Sequence, residues 1–325
     1  MARAPQSPIP AGRRLWLAAA AALAAGCIAG VTGTVLLAPW EDGAPVASPR
    51  IAEAARAETR PSREPFQFAL QPTPDPPPVE VELSHPPRAG VLFDVATGEV
   101  LWEHNPDEPL AIASLTKMMT ALLIAERHRP AERVAITPEA VATTGSGVGV
   151  LPVGQKVKLE TMLNGLLLVS GNDAATALAQ HDAGGVPRFV RRMNRRARQL
   201  GLECTHFTSP HGLQDRHNHS CARDLAELAR ADLSNPRISS IASTDHVRVR
   251  FPIRGGYLDL YNNNPFIRAG VEGITGLKTG YTDLAGRCYV ITAKRGGRHL
   301  GVVLLDSPRP LDQVPALLQA GARRG

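Results

Sequence analysis

Proline decides where this chain can build a packed domain. Of its 28 prolines, 12 fall within residues 39–87, centred on PTPDPPP, and no apolar period is sustained across that stretch. A prolyl nitrogen has no hydrogen to donate and its ring fixes φ, so helix interiors and central strands are excluded there. Residues 41–87 are therefore expected to form an extended, mobile stalk without secondary structure. One globular domain is expected over 88–325. With 43% of 325 residues hydrophobic and 20% charged, the chain has the apolar material for a real core and is not a disordered protein.

Ahead of the prolines, residues 15–40 contain no charge, with Arg3, Arg13 and Arg14 before them and Glu41 and Asp42 after. A secretory signal has an apolar core of about 7 to 15 residues, so this longer run is expected to be a transmembrane anchor, with a long signal as the alternative. The flanking charges put residues 1–14 in the cytoplasm and the rest outside. LAAGC, ending at Cys27, loosely resembles a lipoprotein processing site, but alanine stands where a branched residue is usual and the apolar run continues past the cysteine. Outside the membrane, disulfides are permitted. Cys204 and Cys221 bracket a polar, turn-rich segment and are the expected pair, whereas Cys288 lies in a strand-like run and is expected to be a buried thiol.

The net charge of +6 comes largely from arginine, and Arg191, Arg192, Arg195, Arg196 and Arg198 crowd one stretch. Such a run is expected to be a solvated helix face, the alternative being attraction to an anionic membrane or wall polymer. Nucleic acid is not an expected partner, because only 4% of residues are aromatic and no recognition motif accompanies the arginines.

Within the domain, AGVLFDVATGEVLWEHN reads as two strands joined at Thr97 and Gly98. From Ser114 the residues Leu115, Met118, Met119, Leu122 and Leu123 recur at helical spacing as far as Arg127. LETMLNGLLLV, DAATALAQH and CARDLAELARADL read as further helices. HVRVRF alternates like a strand, GRCYVITAKRGGRHLGVVLLD reads as a hairpin turning at 295–297, and a last helix covers about 311–320. Strands at both ends with helices between them predict an α/β (α+β) fold, one antiparallel sheet built from both ends of the domain against a helical cluster.

Ser114 and Lys117 lie three apart, on one face of a helical first turn, so hydroxyl and amine can reach hydrogen-bond distance. Burial would lower the lysine's pKa and leave an amine able to take the serine's proton. Alone the pair says little, since a chain this long holds about one Ser-x-x-Lys by chance and a capping serine with a solvated lysine explains it. Two tripeptides change this: SGN (Ser170, Gly171, Asn172) at a junction of two expected helices, and KTG (Lys278, Thr279, Gly280) at the start of the strand-rich end. Each has a chance expectation of roughly a tenth or less, and the order of the three is that of penicillin-binding proteins and class A β-lactamases.

With IASLTKMM, the SGN block and GLKTGYTDLAGRCYVITA in that order, the chain resembles the low-molecular-mass penicillin-binding proteins, the serine D-alanyl-D-alanine carboxypeptidases, over about 88–320. The resemblance implies the penicillin-binding, β-lactamase-like transpeptidase fold. It also implies that Ser114 attacks a D-Ala-D-Ala peptide of a peptidoglycan stem, that Lys117 takes its proton, and that Ser170 relays that proton. Asn172 would hold the substrate amide and orient Lys117. Lys278 and Thr279 would receive the terminal carboxylate, and Gly280 would clear space for the peptide. The N–H groups of Ser114 and Tyr281 would form the oxyanion hole. β-Lactams would be covalent inhibitors, and no cofactor is implied. The family often adds a second, β-rich domain and a carboxyl-terminal membrane helix, for which this chain has no room, so the expected anchor is residues 15–40. The rivals are a DD-transpeptidase, a β-lactamase, disfavoured because no Glu-x-x-x-Asn lies between the second and third motifs, and a non-catalytic wall-binding protein. His206, His211, His217 and His219 lack the spacing of common zinc sites, so no metal is expected.

Overall fold

The computed structural model describes residues 67–213 and 216–324. The expected basic segment 1–14, the apolar segment 15–40 and the stalk up to residue 66 lie outside the described residues. The first hairpin pairs β1 (Ala89–Asp94) with β2 (Val100–His104). The Asp94 carboxylate makes its turn by accepting the Ala96 and Thr97 N–H groups at 2.9 and 3.0 Å. The short β3 (Leu110–Ala111) leads into a 3-10 turn, Ala113–Thr116, and α1 (Lys117–Arg127). A small ribbon of β4 (Arg133–Ala135) and β5 (Lys156–Lys158) encloses α2 (Pro138–Val141). The helical block continues with α3 (Leu159–Leu167), α4 (Asn172–Ala183) and α5 (Val186–Leu200), then, past β6 (His219–Ser220), α6 (Ala222–Ser234) and α7 (Pro236–Ala242). A second ribbon, β7 (His246–Arg250) and β8 (Tyr257–Tyr261), and α8 (Pro265–Arg268) precede β9 (Ile274–Thr282), β10 (Gly286–Arg295), β11 (Arg298–Leu305) and α9 (Pro310–Ala322).

The main sheet is antiparallel in the order β2-β1-β11-β10-β9, so its centre is a ladder between the two ends of the domain, with Ala89 opposite Leu305. Alternation along the strands sends Val91, Phe93, Val290 and Val303 to one face, where α6 packs on β1 and β11 and the same core takes in Leu115 of the 3-10 turn and Met118 and Met119 of α1. Leu92, Leu101, Ile291 and Val302 go to the other, under Val314, Leu317 and Leu318 of α9. Both faces are covered, which is why every residue of β1 is buried. Gly301 makes the first layer possible: a Cβ there would stand 2.3 Å from the Phe93 ring.

Three features differ from the sequence reading. HVRVRF is a strand, but it pairs with β8 in a separate ribbon and not in the main sheet. The helix expected from Ser114 starts as a 3-10 turn and becomes α-helical at Lys117. The domain also begins before Arg88. Residues 67–87 carry little regular structure, yet they lie on the domain instead of standing free. Arg230 donates to Phe68 O and Ala69 O, Leu70 N donates to Glu227 Oε1, Val79 N donates to Leu101 O, and Val79 is buried. Backbone carbonyls need no side-chain period to find donors, so a proline-rich segment can be bound without forming an element.

The arginine run is α5, with Phe189, Met193 and Ala197 buried and Arg188, Arg191, Arg195 and Arg198 exposed. Arg192 pairs with Asp182 and Arg196 with Glu126. Cys204 and Cys221 are bridged, their Cα atoms 5.9 Å apart. Cys288 is a buried free thiol whose pKa burial pushes up to about 12.

Candidate active site

The turn holding Ser114 is built from strain and clamps. Ala113 sits at φ +47°, and the Thr116 hydroxyl tightens the turn by donating to Ala113 O at 2.9 Å. From the loop after Cys204, Asn218 Nδ2 donates to Thr116 Oγ1 at 2.7 Å and Pro210 O accepts from Thr120 Oγ1 at 2.7 Å. Gly212, at φ +78°, lies so close that a Cβ would be 2.0 Å from Ala113 O. Held this way, Lys117 Nζ donates to Ser114 Oγ at 2.8 Å and to His211 O at 3.1 Å. Lys117 is fully buried. Loss of hydration, then the Lys278 charge, pushes its pKa well below the usual lysine range, with Asp173 opposing. A deprotonated Lys117 would place a base at hydrogen-bond distance from a hydroxyl.

The SGN segment joins α3 to α4. Ser170 takes φ +60°, and its buried Oγ has no hydrogen-bond partner among the described residues; neither has Asn172 Oδ1. Asn172 Nδ2 is fixed on Thr144 O at 2.7 Å, and its backbone N–H donates to Ser146 O at 2.7 Å. Beside it, Asp173 accepts the N–H groups of Val148 and Gly149 at 3.0 Å each and pins loop 146–149 over the site. Both atoms lie beside the cleft, where a bound ligand or water would complete their hydrogen bonding.

The third side is β9, an edge strand bonded only to β10 in the sheet. Lys278 is 2% exposed and donates to Thr279 O at 2.7 Å, with burial bringing its pKa down to about 7. A Cβ at Gly280 would meet Ser114 N at 2.8 Å and Ala113 Cβ at 3.1 Å. The clearance glycine provides is thus first for the backbone at Ser114, a different reason from the one the sequence suggested. A cleft of about 420 Å³ opens between the three sides, lined by Ser114, Ser170, Thr279, Gly280 and Tyr281, and also by Ser146, Asn263, Arg287 and Tyr289. Lys117 and Lys278 lie buried beside it.

A model of peptidase family S11, D-alanyl-D-alanine carboxypeptidase, matches residues 77–309. The chain belongs to that family. It is 34% identical over 239 residues to the D-alanyl-D-alanine carboxypeptidase DacF of Bacillus subtilis, covering 71% of this chain and 60% of the relative. It is 35% identical over 242 residues to a D-alanyl-D-alanine endopeptidase of Pseudomonas aeruginosa, covering 70% of this chain and 77% of the relative. The chain therefore spans less than two thirds of the length of the Bacillus relative. Among solved structures, a D-alanyl-D-alanine carboxypeptidase of Mycobacterium tuberculosis superposes with a TM-score of 0.70 at 30% identity, covering 77% of this chain and 96% of that one. The DD-transpeptidase of Streptomyces K15 does so with a TM-score of 0.69 at 28% identity, covering 74% and 99%. The α+β architecture is that of these penicillin-binding DD-peptidase folds.

In this S11 chain, sequence reading missed the cleft residues Ser146, Asn263, Arg287 and Tyr289 and the supports Asp173, His211 and Asn218. Arg287 was within reach, because the tight turn between β9 and β10 sets it opposite Tyr281. Among the histidines of 206–219, His206 and His219 exchange backbone hydrogen bonds. His211 instead gives its carbonyl to Lys117, and burial and that neighbour lower its own ring pKa to about 4.

Proposed function

We propose that the domain is a serine-type D-Ala-D-Ala carboxypeptidase that removes the terminal D-alanine of peptidoglycan stem peptides and is acylated by β-lactams. The observation that carries this is a fully buried Lys117 with Nζ 2.8 Å from Ser114 Oγ, facing an edge strand that carries the buried Lys278 and Thr279 at its middle. Lys117 takes the Ser114 proton as Oγ attacks the penultimate D-alanyl carbonyl, and the N–H groups of Ser114 and Tyr281 receive the oxyanion. The C–N bond then breaks. The departing D-alanine amine takes the proton from Lys117 through Ser170 Oγ, leaving the acyl chain on Ser114, and water releases it by the reverse relay. Lys278 and Thr279 hold the terminal carboxylate and Asn172 the substrate amide.

The test is D-alanine release and labelling by a fluorescent penicillin, in wild type and Ser114→Ala. Both signals should vanish in the variant; release of D-alanine at the normal rate would sink the proposal. An open cleft also admits an amine acceptor, so transpeptidation is the second reading, and product partition with a peptide plus an amine decides between them. Residues 15–40 are proposed as a single-pass anchor that leaves the catalytic domain outside the cell membrane. No helix among the described residues is long and apolar enough to cross a membrane, so this rests on the uncharged run and its flanking charges. Membrane fractionation of the full chain, with and without residues 1–40, tests it.

A further inference from the structure

Away from the cleft, at the far ends of the helices that begin with Lys117 and Asn172, a second set of side chains converges. His128 caps the carboxyl end of α1, Glu132 lies just before β4, and His181 is in the last turn of α4. His128 Nδ1 and His181 Nε2 lie 2.9 and 3.0 Å from the same oxygen, Glu132 Oε2, and the three atoms fall within 4.8 Å of one another. Behind His128, Nε2 faces Asp182 Oδ1 at 2.9 Å. The Asp182 side chain is fully buried and fixed by Arg127 and Arg192. The second Glu132 oxygen accepts the Arg129 N–H at 2.6 Å.

An ordinary ion pair needs one imidazole and one carboxylate. Here two imidazoles from different helices aim at one oxygen, and a buried, doubly paired carboxylate sets the ring orientation of the first, as carboxylates do behind metal-bound histidines. Two imidazole nitrogens and one carboxylate oxygen suit a borderline divalent transition ion with bonds of about 2.0–2.2 Å. Tetrahedral bonds of that length set ligand atoms about 3.3–3.6 Å apart, so the edges at 2.9 and 3.0 Å need open by about 0.3–0.7 Å. The His128, His181 and Glu132 side chains are 15%, 20% and 34% exposed, which leaves a fourth position to water.

We propose that His128 Nδ1, Glu132 Oε2 and His181 Nε2 form a site for a zinc-class divalent cation, with water as fourth ligand and Asp182 as the positioning residue. The ion clips the end of α1 to the end of α4 and so fixes the two helices whose first residues, Lys117 and Asn172, stand beside the cleft residues Ser114 and Ser170. It takes no part in the serine chemistry.

The test uses the full chain in detergent, treated with chelator and titrated with Co²⁺ and then Zn²⁺. One equivalent of Co²⁺ should develop the visible bands of a four-coordinate ion, Zn²⁺ should abolish them, and Zn²⁺ should raise the unfolding temperature. His181→Gln and Glu132→Gln should lose the spectrum and bind about 100-fold more weakly or worse, and Asp182→Asn about 10–100-fold more weakly, each with wild-type circular dichroism. No one-equivalent spectrum in wild type, or one unchanged in a folded His181→Gln protein, overturns the site.

Discussion

In the proposed mechanism, the proton on Lys117 governs when Ser114 can react, and the proton on Lys278 governs what the site can hold. Burial lowers both pKa values, that of Lys278 to about 7. Acylation should rise with pH as Lys117 becomes neutral, while capture of a carboxylate should fall as pH rises through 7 and Lys278 loses its charge. Measured as kcat/KM, a peptide ending in a free carboxylate should give a bell, and an analogue with that carboxylate amidated should keep the rising limb and lose the falling one. Lys117→Arg, whose guanidinium stays charged, should acylate about 10²–10⁴-fold more slowly with penicillin while keeping its fold. Ser114, Lys117 and the two tripeptides were legible because short, contiguous runs carry them. Asn218, which clamps Thr116 from 102 positions away, and His211, which acts through its carbonyl, leave no such mark.

At the scale of elements, the site depends on how closely β9 approaches the 3-10 turn. Gly280→Ala would push a methyl group to 2.8 Å from Ser114 N. The strand must retreat, and kcat/KM should fall about 10²-fold, with little change in unfolding temperature. The loop that clamps the turn is itself stapled by Cys204 and Cys221, 17 positions apart. Replacing both with alanine should cost about 3 kcal/mol in denaturant unfolding and slow penicillin acylation as well. Periodicity located most of these elements but not their partners. The alternation of HVRVRF describes a half-exposed strand equally well in a sheet or a ribbon, and only the facing Leu258 and Leu260 of β8 decide. The 3-10 start was hidden for a similar reason, since Leu115 and Met118 sit at a spacing that both helix types share.

Over the whole molecule, the amino-terminal cladding is part of the fold. A chain beginning at Arg88 forfeits the burial of Val79, about 2 kcal/mol, and should melt roughly 4–8 °C below one beginning at Gln67. The cladding also meets a titrating group. Burial raises the Glu227 carboxyl to about 7 while it accepts the Leu70 N–H. Because the folded pKa lies above the unfolded value, this contribution is complete below about pH 4.5 and is lost as pH rises through 7. Glu227→Gln should therefore gain stability relative to wild type between pH 5 and 7.5, measured by urea unfolding at both values. Composition hid the cladding, because proline content reports what a segment cannot form and not what it can lie against. The ladder from Ala89 to Leu305 has a consequence in time. At ribosomal speeds of about 5–20 residues per second, about ten seconds or more separate the synthesis of these two strands. Until then β1 has only its hairpin partner, and the Ser114 turn, already made, has no strand opposite it. A stalled or clipped chain would carry Ser114 and Lys117 yet lack the β9 side of the cleft, so the proposed reactivity arrives only with the strands that close this sheet.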